Sequence, residues 1–94
     1  MTAPRIIFRV HAVQRMFERS ISVMRVTKAI HSGKIIEDYS AEMPEPSWLI
    51  GDFQGRHPVH LVISKSQNGN EILIITAYVP DPGKWNKDFM SRRS

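Results

Sequence analysis

The spacing of apolar residues changes once along the chain, at Gly33, and that change restricts the fold more than any other feature. Before Gly33 apolar residues recur three and four positions apart, as on one side of a helix. After it they alternate with polar ones, as on a strand. A helical block followed by a strand block in one short chain predicts an α+β layer with the helices on one face of the sheet. Ninety-four residues suffice for one core, so residues 1–94 are read as a single domain, with 80–94 as a C-terminal docking segment.

RIIFR (5–9) is short and rich in β-formers, which predicts an edge strand. HAVQRMFERS predicts a helix from about Val10 to Arg19 with Ala12, Val13, Met16 and Phe17 on its apolar side. In SISVMRVTKAIHSG, Ser22 is an N-cap, Val23, Val26 and Ile30 fall at helical spacing, and Gly33 is the C′ residue. KIIEDYS (34–40), SWLIGDFQ (47–54), PVHLVISK (58–65) and EILIITAYV (71–79) predict four strands. The expected order is β-α-α-β-β-β-β, with an antiparallel meander after the helices.

In the last strand pair Leu61 and Ile63 occupy one face and Val62 lies beside His60 on the other, so both faces need cover. The helices cover one; the C-terminal segment or a partner covers the other. PDPGKWNKDFMSRRS sets Trp85 and Phe89 at i,i+4 among Lys84, Lys87, Arg92 and Arg93, a spacing that suits a short docking helix. The Asn68–Gly69 turn allows two registers. A two-residue turn pairs Gln67 with Asn70 and puts His60 opposite Ala77, among apolar groups. A five-residue loop from Ser66 to Asn70 puts His60 opposite Thr76, with Tyr78 next on the same face. Turn statistics favour the first.

Thirteen Lys and Arg against nine Asp and Glu leave a net charge of +4, which favours a polyanionic or acidic partner. The chain has no cysteine, so disulfides, thiolate metal sites and cysteine nucleophiles are excluded together. No apolar run approaches the length of a membrane span, and a cytoplasmic protein away from membranes is expected. The four histidines show no HxxxH spacing, so neither a metal nor another cofactor is expected.

Two groupings carry chemistry. His11, Arg15 and Glu18 fall on one helical stripe, where His11 and Arg15 together can approach a phosphate and Glu18 can pair with Arg15. His57 and His60 follow directly on Gly55–Arg56, an arginine delivered by a glycine-containing turn beside a strand histidine.

HAVQRMFERSIS, then SGKIIEDY, GRHPVHLVIS and IITAYVPDPGKW, resemble the blocks HAxxRMxERGI, G-x-I-I-E, R-x-x-H-V-V-V and I-T-A-Y-x-P of domain-of-unknown-function family 4258. The match runs from about His11 to Trp85. That family resembles a branch of the RelE/BrnT-like toxins, which are often ribonucleases neutralised by an antitoxin. The resemblance implies an RNA-directed role for His11, Arg15, Arg19, Arg56, His60 and Tyr78. It departs from the family pattern at Ser20, where a glycine is usual, which would force a non-glycine residue into the left-handed region. Val10 also stands where a polar cap is expected.

The expected reaction is metal-independent cleavage of RNA by transfer to its 2′-hydroxyl. His60 or His11 would act as base and acid, Arg15, Arg19 and Arg56 would clamp the phosphate, and Tyr78 would orient the base or donate a proton. Trp85 would either stack on a nucleobase or plug the sheet. The expected partners are RNA or the ribosome and an antitoxin protein, with homodimerisation left open. A competing expectation is a non-catalytic interaction module that docks an acidic protein.

Overall fold

The computed structural model describes residues 4–39, 41, 46–53, 57–66 and 68–93. The elements run β1 (Arg5–Phe8), α1 (Val10–Glu18), α2 (Val23–Ser32), β2 (Lys34–Asp38), β3 (Ser47–Asp52), β4 (Val59–Lys65) and β5 (Glu71–Tyr78). Strands β2 to β5 form the antiparallel meander that alternation predicts. The sheet as a whole is mixed, because β1 returns to pair with β5 in parallel, giving the order β1-β5-β4-β3-β2. Two helices fill the crossover from β1, so the expected antiparallel meander gains a parallel strand at that edge.

One face of the sheet packs on the helices. Ala12 and Met16 of α1 and Val26 and Ala29 of α2 bury against Ile50, Leu61, Ile63, Ile74 and Ala77. Such a core is held by non-directional apolar burial, roughly 1.5–3 kcal/mol for each large side chain. Ser22 caps α2 by accepting from the Arg25 amide at 3.0 Å, as its position predicts. Arg25 then ties α2 to the sheet, with a guanidinium nitrogen 2.6 Å from the buried Asp52 carboxylate and another 3.0 Å from the His57 carbonyl.

Three local expectations are corrected. Val13 and Phe17 do not pack on the core; they are 50% and 87% exposed, because only Ala12 and Met16 point at the sheet. Gly33 ends α2 with extended backbone, φ −77° and ψ 168°, and not in a left-handed cap. Its lack of a side chain matters sterically instead: a Cβ there would stand 2.4 Å from the Ala29 carbonyl and 2.6 Å from Ile50. Residues 80–93 form turns with no helix. Ser20, by contrast, does adopt φ 56°, a left-handed conformation that costs a non-glycine residue about 1 kcal/mol.

Two bulges decide which polar groups reach the other face. On β5 the pairs run Lys65↔Ile72, Ser64↔Leu73 and Ile63↔Ile74, the register of a two-residue turn, and then skip Ile75 to give Val62↔Thr76, Leu61↔Ala77 and His60↔Tyr78. His60 therefore faces neither Ala77 nor Thr76 directly, because the extra residue on β5 carries the pairing one place beyond the two-residue-turn register, away from the five-residue-loop one. On β2 the pairs Ile35↔Ile50 and Glu37↔Leu49 skip Ile36 in the same way. Cross-strand partners share a face, so the two bulges bring Glu37 and Tyr78 to the side occupied by His60.

Candidate functional site

The far face is closed by the C-terminal segment. Trp85 is 3% exposed and meets the His60 ring edge-on, centroids 4.5 Å apart. The Arg92 guanidinium lies 4.6 Å from the Trp85 ring centre. Trp85 is thus a plug of the sheet and is not free to stack on a base. His60 is fully buried, with Nε2 2.8 Å from the Phe89 carbonyl and Nδ1 3.1 Å from the Tyr78 hydroxyl. A carbonyl can only accept, so Nε2 carries the hydrogen, and in the neutral ring Nδ1 accepts from Tyr78. Gly51 stands opposite His60, where a Cβ would come within 2.8 Å of the Phe53 ring and 3.4 Å of His60.

Burial lowers the His60 pKa from its ordinary value and outweighs the opposing pull of the Phe89 carbonyl and Glu37. Burial also pushes the Tyr78 phenol up to about 12, so it remains protonated at neutral pH. Beside them, Arg92 donates to both Glu37 carboxylate oxygens, at 3.1 and 3.2 Å, and Tyr39 donates to the same carboxylate. Burial raises the Glu37 pKa, but the hydrogen bonds from Arg92 and Tyr39 prevail and leave it lowered. Sequence reading missed Glu37, Tyr39 and this use of Arg92. The only local signal was the i,i+2 placement of Glu37 and Tyr39, since Arg92 lies 55 positions away.

Two clefts open at the end of the sheet where β5 finishes. One, of about 260 Å³, is lined by Arg19, Ser20, Ile21, Ser22, Arg25, His57, Val59 and Val79. The other, of about 350 Å³, is lined by Arg19, Tyr78, Val79, Asp81, Lys84, Trp85 and Arg92. Arg19 and Val79 are common to both. Of the predicted site residues, the structure gathers Arg19, Tyr78 and Trp85 here, with His60 behind Tyr78.

His11 and Arg15 line neither cleft. They stand on α1, where Arg15 donates to His11 Nε2 at 3.3 Å and pairs with Glu18 at 3.1 Å. Arg56 lies outside the described residues. Among the described residues no three His, Asp or Glu side chains gather as metal ligands, and no helix is long and apolar enough to cross a membrane.

The fold and these clefts define a small α+β protein with a cationic recess at one end of a mixed sheet. Residues 8–79 match the family described as Domain of unknown function (DUF4258), and the chain belongs to that family. Neither a curated protein nor a solved structure matches it. The matched residues include His11, His60 and Tyr78, whereas the segment that seals His60 follows them.

Proposed function

We propose that this is an RNA-directed protein of the toxin type, which grips a phosphodiester backbone in the paired clefts, cleaves it with side chains alone and is neutralised by an antitoxin. The observation that carries the reading is the shared Arg19 wall, which sets Lys84, Arg92 and Tyr78 on one side and Arg25 and His57 on the other. Arg19, Lys84 and Arg92 would hold the non-bridging oxygens. In the cleavage step the 2′-oxygen bonds to phosphorus and the bond to the 5′-oxygen breaks. Asp81, the carboxylate lining the second cleft, takes the 2′-hydroxyl proton. Tyr78, kept protonated by burial, turns its one proton from His60 Nδ1 to the leaving 5′-oxygen, and the phenolate regains a proton from solvent. His60, sealed behind the phenol, is a positioning residue and not the free base that the sequence suggested.

A second reading, a non-catalytic module for an acidic protein, is favoured by the full burial of His60 and the engagement of both its ring nitrogens. Fluorescence anisotropy with labelled single-stranded RNA, followed by cleavage assays in EDTA, separates the two. The RNA-directed reading expects binding that Arg19→Ala weakens, with a log–log salt slope of about −2 for roughly three phosphate contacts. It also expects cleavage that Tyr78→Phe abolishes without loss of binding. RNA bound but never cleaved removes the chemistry, and RNA not bound at all removes the whole reading.

A further inference from the structure

The two clefts share Arg19 and Val79 but differ in what lies beyond that wall. On one side Lys84 and Arg92 make a cationic recess. On the other the lining is apolar: Ile21 and Val59 are buried members of the core cluster, and Val79, 44% exposed, stands at the rim. Arg25 lines this recess with its charge already committed, 2.6 Å from the buried Asp52 carboxylate and 3.0 Å from the His57 carbonyl. Those bonds fix the His57 backbone, and the His57 side chain is exposed at the mouth. A volume of about 260 Å³ lies just under the roughly 300–1,000 Å³ of clefts that bury drug-sized ligands. It has room for one flat ring system and too little for a helix about 10–12 Å across.

We infer that the apolar recess is a nucleobase subsite, which takes one base of the strand whose phosphate lies in the cationic recess beside it. The inference rests on the RNA-directed reading and adds to it the place of the base. A nucleotide is a flat, largely apolar ring joined through a sugar to an anion, so it matches two adjoining recesses of these two characters. One face of the base would cover Val59 and Val79, and the other would stack on the His57 ring or the Arg19 guanidinium. The Ser22 hydroxyl accepts from the Arg25 amide at 3.0 Å and keeps its own hydrogen to donate to the edge of the base. An apolar side chain of a protein would fill the same recess but bring no anion to Arg19, Lys84 and Arg92.

The test is fluorescence anisotropy with two labelled single strands of 2′-O-methyl RNA, one carrying adenines and the other abasic at every position. Blocking the 2′-hydroxyl keeps both strands intact. Wild type is expected to bind the adenine strand about tenfold more tightly than the abasic one. The double variant His57→Ala, Val79→Ser should reduce that preference below about threefold and leave abasic binding unchanged, whereas Arg19→Ala should weaken both strands. Both residues of the double variant are exposed, so an unchanged melting curve is expected. Equal binding of the two strands by wild type, or a preference that the double variant retains, would overturn the subsite and leave the phosphate grip standing. Failure of wild type to bind either strand would remove the RNA-directed reading and the subsite together.

Discussion

The two faces of the sheet are built on opposite principles. Under the helices, Leu61, Ile63, Ile74 and Ala77 meet Ala12, Met16, Val26 and Ala29, and each is replaceable by another apolar group of similar volume. Under the C-terminal segment, His60, Tyr78, Glu37, Tyr39 and Arg92 meet through hydrogen bonds that each need a donor and an acceptor in register. A face filled by shape follows from residue period, whereas a face filled by hydrogen bonds depends on register, which two bulges alter.

The largest expected effect is on the apolar face. Leu61→Ala, at a position with no exposure, should cost about 2–5 kcal/mol in urea unfolding, and a loss below about 1 kcal/mol would deny that this face carries the stability. On the polar face, His60→Ala strips the Phe89 carbonyl and the Tyr78 hydroxyl of a partner, for a cost of about 1–3 kcal/mol.

A pH series sharpens the contrast. His60 has a folded pKa below its ordinary 6.5, so below about that pH the unfolded chain takes up a proton that the folded one resists. Stability should therefore fall as pH drops from 6.5 toward the folded value, and fall again below 4.5 as Glu37 is protonated. Thermal melts of His60→Gln should lack the first decline; a decline identical to wild type would mean that the polar face does not titrate as described. The smallest effect is expected for Arg92→Ala. Arg92 is 56% exposed in its bridge to Glu37, and the loss should be below about 1 kcal/mol and shrink in high salt.

Local signals carried much of the fold. The Ser22 cap and the strand centres lie where spacing and residue type put them, and Ser20 is left-handed where the family pattern has a glycine. The parallel return of β1 did not, since RIIF would suit either edge of the sheet. In the candidate site, Arg19 and Tyr78 line one cleft, whereas His11 and Arg15 remain on the helix surface. Nothing local foretold that Glu37 would meet Arg92, because each side chain finds its place only after a bulge and a chain reversal.

The supernumerary Ile75 also makes β5 a strand whose length is negotiable at one point. Loss of that residue would merge two reading frames into one and still leave Tyr78 across from His60 and Ile72 across from Lys65. Loss of Leu73 would instead turn the residues near the hairpin inside out. Among relatives of this chain, a one-codon deletion is therefore best tolerated at the site where the sheet already hesitates.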